Sequence, residues 1–439
     1  MRKFLIFSVA LLTTTLLGTS CQKEDVVAQM DVATTKSENV QKGKTAHVSY
    51  KDAIQIATEA VAMLEGGATT RSGIKRRVDP SKIKYHVTPQ TRSGEGGDTL
   101  YYVVNYADNA GFALVSTSRA DGDPLIAVTE QGNFTPGEET GNPGFDMYIS
   151  LLNDRPSPKP EGPTSPIDTT NHGPNMIEDY DYIETYLLDY TQITPLVETK
   201  WGQESPYNMF CFTEQTREQA KAGCLPIAMA QIMSYYEYPV SYNRTHDESN
   251  VVVATNWSNI KQHLILNYTT CHDHTDMAHL IKELGYRMGT DYGVDDSSTS
   301  PFFASFAFAN LGYTLRELQS YDFVPVKNDL DNYRPVLMTG VDPDQSAHAW
   351  VIDGYRSYKH MVYHYTLWSD GSKDLFDTEI VNTNYVHINW GWNSQCDGYF
   401  TEGVFKNKEP IELDSNLTIG ETYNYTTELY ILPDVYPNN

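Results

Sequence analysis

The chain has 439 residues, more than one hydrophobic core accommodates, so about two to four domains are expected. Charged residues make up 20% and aromatics 12%, including 31 tyrosines, which is the composition of a folded protein and excludes a largely disordered chain. The net charge of -25 leaves little to neutralise phosphates, so nucleic acid is not an expected partner.

The first residues read as a processing signal. Arg2 and Lys3 precede an apolar run from Phe4 to Leu17, and small residues then lead to Cys21. Such an ending resembles a bacterial lipoprotein signal, in which residues 1–20 are removed and Cys21 is lipidated, although Gly18 replaces the usual leucine three places before the cysteine. Plain secretory cleavage is the alternative. Lys23-Glu24-Asp25 resembles an export tag to the outer face, so the expected location is extracytoplasmic: an outer-membrane lipoprotein at the cell surface, or a secreted protein. Any membrane contact is expected only through the lipid at Cys21, because no later stretch approaches the roughly 20 apolar residues of a spanning helix.

Residues 21–46 are polar and aperiodic, a flexible tether. Ile54, Ala57, Val61 and Leu64 then recur at helical spacing, closed by Gly66-Gly67. Past a basic loop around Lys75 to Arg77 come three apolar runs, Leu100 to Tyr106, Phe112 to Thr117 and Leu125 to Val128, separated by turn residues. They predict an antiparallel meander packed on the helix, a small domain over 47–150. Residues 151–188 contain the proline-rich segment from Arg155 to Pro163 and read as an exposed linker open to proteolysis. The remaining 189–439 has the length of one large domain.

The chemistry concentrates in that large domain. Cys224 opens the run Leu225-Pro226-Ile227-Ala228-Met229-Ala230, apolar on every side and stopped by Pro239, so it stands at the N-terminus of a buried helix where the dipole favours a thiolate. A thiolate that cleaves amides needs a base that later protonates the amine, and His348 lies in the strand-like run Ala347 to Ile352. Asn389, in His387-Ile388-Asn389-Trp390-Gly391-Trp392, could orient the imidazole, with Trp390 or Trp392 roofing that bond. His387 is the rival base. Gln203, in Trp201-Gly202-Gln203, offers an amide that would join the Cys224 N–H as oxyanion donors.

Four motifs in this order resemble the streptopain family of bacterial cysteine proteases: Trp201-Gly202-Gln203 with Pro206-Tyr207-Asn208, Gly223-Cys224 with Ala230-Gln231-Ile232-Met233, His348-Ala349 with Val351-Ile352-Asp353-Gly354, and His387 with Asn389-Trp390-Gly391-Trp392. The resemblance implies an α+β architecture, a papain-like two-lobed protease domain preceded by a helix-plus-antiparallel-sheet propeptide. It implies endopeptidase action on proteins or peptides, no cofactor and no metal, and the roles above for Gln203, Cys224, His348 and Asn389. Gly111 to Ser116 and Gly132-Asn133-Phe134 look like the family's inhibitory propeptide, so the chain's own N-terminal domain is expected to act as an intramolecular inhibitor released by cutting in the linker. Thr290-Asp291-Tyr292-Gly293 and the serines after it resemble the family's substrate cleft. The sequence departs from the family at 356–384, a long Tyr-rich stretch between the His and Asn strands.

Other readings of the same residues are a catalytically idle surface binding protein, or a Cys–His amidase or transferase acting on cell-wall peptides. Cys271-His272-Asp273-His274 with His279 has metal-ligand chemistry, but nothing elsewhere completes a pattern and a polar loop is expected. Cys211, Cys224, Cys271 and Cys396 show no disulfide framework.

Overall fold

The computed structural model describes residues 44–65, 78–87, 99–119, 123–154, 177–247, 251–261, 275–341, 347–406 and 428–438. The signal, Cys21, the tether as far as residue 43, the basic loop, the proline-rich segment and Cys271 to His274 lie outside them; the last residues of the expected tether are ordered instead.

The N-terminal region comprises β1 (Lys44–Thr45), α1 (Tyr50–Glu65), β2 (Val78–Val87), β3 (Thr99–Tyr106), β4 (Phe112–Ser116), β5 (Leu125–Thr129) and α2 (Pro143–Asn153). A long strand, β6 (Ile177–Ile193), leads to the helical lobe: α3 (Cys224–Tyr236), β7 (Ser241–Arg244), β8 (Val251–Ala254), α4 (Trp257–Lys261), α5 (Thr275–Arg287) and α6 (Phe302–Asn310). The sheet lobe follows with β9 (Tyr313–Thr314), β10 (Gln319–Ser320), α7 (Phe323–Asp331), β11 (Val336–Val341), β12 (Ala347–Trp368), β13 (Lys373–Asn389), β14 (Gly398–Thr401), β15 (Glu428–Leu432) and β16 (Tyr436–Pro437). This is a two-lobed α+β protein.

One sheet runs through both regions, in the order β10-β15-β11-β12-β13-β14-β5-β4-β3-β2. The meander β2 to β5 is therefore joined edge to edge with the C-terminal sheet through β14 and β5. The cores follow suit. One cluster centres on α3 and α5 under Trp201, Met229 and Leu284. A second takes Phe112, Phe134 and Phe145 from the N-terminal region together with Trp350, Trp390 and Phe400 from the sheet lobe.

Local chemistry accounts for the N-terminal elements. Ser49 and Asp52 cap α1 reciprocally, Ser49 N–H donating to Asp52 Oδ2 (3.1 Å) and Asp52 N–H to Ser49 Oγ (3.2 Å). The buried stripe of α1 is Ala53, Ile56, Ala57, Ala60 and Met63; Ile54, Val61 and Leu64 lie at its margin. The stripe is rotated because small alanines let the helix approach Val104, Ala113 and Val128 of the meander closely.

Two boundaries differ from the sequence reading. Helix α2 carries the first region to Asn153, where a linker from 151 is expected. Strand β6 begins at Ile177, within the expected linker, and pairs with β12 from Tyr355↔Ile193 to Trp368↔Ile177. The insertion 356–384 is thus no loop but the projecting half of the β12–β13 ladder, backed by β6 to make a three-stranded ribbon. Its tyrosines pack across strands, with the Tyr186 and Tyr363 rings 5.3 Å apart and those of Tyr190 and Tyr358 4.8 Å apart.

Candidate active site

Cys224 is the first residue of α3 and His348 lies one residue into β12, opposite Gly340 of β11. Both line one cavity of about 520 Å³ between the helical and sheet lobes. The far wall is the segment Asp291 and Asp296 to Ser300, the stretch that resembled a substrate cleft. Backbone N–H groups of Ala349, Leu225 and Cys224 point at the sulfur.

The two side chains are not hydrogen-bonded to each other among the described residues. His348 Nε2 instead donates to the Trp390 carbonyl oxygen at 3.1 Å, and its ring is 6.0 Å from those of Trp350 and Trp392. Burial pushes the imidazole down to about 4 despite that carbonyl, so it is neutral. Burial likewise pushes the Cys224 thiol up to about 11, with Asp296 adding to the shift and the three N–H groups opposing it. The thiolate expected from the helix N-terminus is not favoured in this conformation, because desolvation raises the Cys224 thiol more than the three N–H groups lower it.

His348 is also in close contact with the N-terminal region. Gly144, in the first turn of α2, lies against it so closely that an added Cβ would stand 2.5 Å from His348 Cδ2 and 2.5 Å from Trp390 Cε3. The loop before α2 is tied down, with Asn142 Nδ2 donating to Gln395 O (2.7 Å) and Gln395 Nε2 to Thr140 O (2.8 Å). Asn142 also caps α2 by accepting from Phe145 N–H at 3.2 Å, with Pro143 at the first helical position. That Asn-Pro start was the available sequence signal for α2, which the strand-centred reading of this region passed over.

Asn389 lies elsewhere in the network than expected. Its Oδ1 accepts from Gln231 Nε2 (3.1 Å) and from Gly391 N–H (3.1 Å), while its Nδ2 donates to Thr199 O (2.7 Å) and Gln231 Oε1 (3.1 Å). It does not orient His348 here, because the buried Gln231 side chain of α3 meets it first. Trp390 does not roof an Asn–His bond either. Its carbonyl holds His348, its indole N–H donates to Cys396 O (3.0 Å), and its N–H donates to Asp397 Oδ1 (2.9 Å).

Gln203 is buried, its carbonyl accepting at 2.8 Å from the N–H of Ala222, two residues before the nucleophile. Its side-chain amide has no hydrogen-bond partner among the described residues. His387, the rival base, does not line the cavity shared by Cys224 and His348, and both its ring nitrogens are engaged: Nδ1 meets Asp353 Oδ1 at 2.6 Å and Nε2 meets Glu130 Oε1 at 3.1 Å. His279 stacks on Phe210 at 4.0 Å and its Nδ1 lies 3.0 Å from His246 Nε2. Among the described residues no group of three or more His, Cys, Asp or Glu could hold a metal ion. Cys211, Cys224 and Cys396 are free thiols.

Residues 201–400 match the peptidase C10 family and residues 45–155 match the Spi protease inhibitor. Streptopain of Streptococcus pyogenes is 24% identical over 383 residues, covering 78% of this chain and 82% of streptopain. The thiol protease/hemagglutinin PrtT of Porphyromonas gingivalis is 21% identical over 384 residues, covering 77% of this chain and 39% of PrtT. Among solved structures, a fragment of Prevotella intermedia prointerpain A is similar at 22% identity and a TM-score of 0.48, covering 81% of this chain and 100% of that one. Residues 201–400 are thus a peptidase C10, or streptopain-family, domain and residues 45–155 a Spi protease inhibitor domain, so the chain is a cysteine endopeptidase made with an inhibitor propeptide, a zymogen.

Proposed function

We propose that Cys224 is the nucleophile and His348 the general base of this endopeptidase, and that the described conformation is its latent state. The observation that carries the assignment is the cavity shared by Cys224 and His348, into which a peptide carbonyl could enter beside the Cys224 and Ala349 N–H groups. Cys224 Sγ would attack that carbonyl while His348 takes the thiol proton and later delivers it to the leaving amine. The oxyanion would be held by the Cys224 N–H and the Gln203 amide, the latter free of other partners among the described residues. Asn389 fits a positioning role, fixing α3 to β13 through Gln231 and orienting His348 only once the ring has turned from Trp390.

Latency follows from position rather than from occupancy of the nucleophile. With Gly144 against His348 and the ring bound to the Trp390 carbonyl, base and nucleophile are held apart. A cut between α2 and β6, in the segment that contains the proline-rich run, leaves β6 with the protease and lets the propeptide dissociate. The signal-like N-terminus supports an extracytoplasmic location, tethered through acyl chains on Cys21.

The test is to incubate the Cys21-to-end precursor alone and with trace protease, assaying casein and sequencing the fragments. The uncut precursor is expected to be at least about tenfold less active, and Cys224→Ala should abolish hydrolysis in both forms. Parent-like activity of Cys224→Ala would sink the nucleophile assignment.

A further inference from the structure

The propeptide occupies more than the neighbourhood of His348. Its strand β5 lies antiparallel on the edge of β14, with Ala127↔Phe400, Val128↔Tyr399 and Thr129↔Gly398 opposed. The pairing runs on past β5: Glu130 N–H donates to Asp397 O (2.7 Å) and Cys396 N–H to Gln131 O (3.2 Å). Gly398 is needed for this approach, since a side chain there would stand 2.2 Å from the Val128 carbonyl oxygen. Backbone contacts of this kind read no sequence, so the edge would accept any extended chain.

Specificity enters at Glu130. One carboxylate oxygen meets His387 Nε2 at 3.1 Å and the other meets Lys200 Nζ at 3.3 Å. Both cationic groups belong to the protease region and are held from behind, His387 Nδ1 by Asp353 (2.6 Å) and Lys200 by Asp397 (3.4 Å). The His387 side chain is fully buried and Lys200 largely so. Although burial opposes it, Asp353 and Glu130 hold the His387 imidazole up to about 9, so it is a cation at neutral pH. Lys200 and His387 both lie outside the propeptide, so both stay with the protease when Glu130 departs. Two residues earlier on the same strand face, Val128 packs in one cluster with Tyr399 and Tyr385.

We infer that the mature protease has a substrate exosite here: the freed β14 edge, with Lys200 and His387 beside it, binds an extended protein segment bearing a β-branched residue two places before a carboxylate. The propeptide segment 125–132 is the resident mimic of that ligand. The inference rests on the zymogen reading, because the site opens only when β5 departs.

The test uses enzyme activated from the full-length precursor, freed of its propeptide and blocked at Cys224 by alkylation. A labelled peptide of residues 125–132 should bind saturably, and its Glu130→Gln form about tenfold more weakly. Lys200→Met enzyme, activated in the same way, should lose most of that discrimination. With unblocked enzyme the parent peptide should inhibit casein hydrolysis and leave turnover of a short fluorogenic substrate unchanged. Equal binding of the Glu and Gln peptides, or equal inhibition of both substrates, would overturn the exosite. Turnover of the short substrate reports separately on the protease reading, so a dead enzyme that still discriminates the two peptides would refute the chemistry and keep the exosite.

Discussion

At the scale of single residues, the neighbours of Cys224 and His348 decide both how visible they are and what state they are in. Each is a reactive side chain set in an apolar run, which is why sequence points to them, and the same apolar surroundings neutralise them in the closed zymogen. Thiol protonation gives a direct test. With its pKa pushed up to about 11 in the precursor, Cys224 should alkylate with a rate still rising beyond pH 9, whereas the activated enzyme should react at neutral pH. Peptide mapping after iodoacetamide treatment checks this, and a rate plateau below about pH 8 in the precursor would contradict it. Gly144 supplies the second test. Gly144→Ala places a methyl where His348 and Trp390 already stand, so the propeptide must shift at a cost of about 1–3 kcal/mol. The uncleaved variant should therefore show raised basal activity, and parent-like latency would mean that α2 does not control His348. No local signal could have exposed Gly144, because its importance comes from contacts with residues two hundred positions away.

Between elements, α3 and β13 are joined by the reciprocal amide pair Gln231–Asn389. The sequence made both amides conspicuous as polar residues in apolar runs, but not their pairing, since a helix and a strand 158 residues apart meet only in the folded state. Gln231→Ala and Asn389→Ala should each cost about 1–3 kcal/mol, because each removes two buried amide hydrogen bonds from its partner. The double variant should cost clearly less than the sum, measured by denaturant unfolding of the precursor. Full additivity would show that the two amides act independently. The same contrast between local and distant order explains which elements were legible. Strands β3, β4 and β5 are short, apolar and separated by turn residues, so their pattern is local. Strand β6 reads as polar linker because its hydrogen bonds go to β12, and its tyrosines find their partners only across that ladder.

Over the whole molecule, the propeptide completes both the sheet and the second core, so latency and stability are coupled. The order of elements and the proline-rich run separated a small N-terminal domain from a large one but not their fusion, since edge-to-edge pairing of β5 with β14 leaves no mark in either strand alone. The ionic contact across that seam makes the coupling depend on pH. His387 is raised to about 9 in the folded precursor, above the roughly 6.5 of an unperturbed imidazole, so its stabilising interactions with Asp353 and Glu130 are complete below about pH 6.5 and fade as pH rises through about 9. The thermal midpoint of an uncleavable precursor should therefore fall between about pH 6.5 and 9 and level off above that. Glu130→Gln removes the propeptide's share of this ionic interaction while sparing Asp353, so the variant should show a smaller fall over the same interval. It should also be less latent at neutral pH, because the seam loses its contacts to both His387 and Lys200. An identical pH profile in parent and variant would show that Glu130 is a solvated bystander, and that backbone pairing with β14 and the shared aromatic core alone hold the propeptide in place.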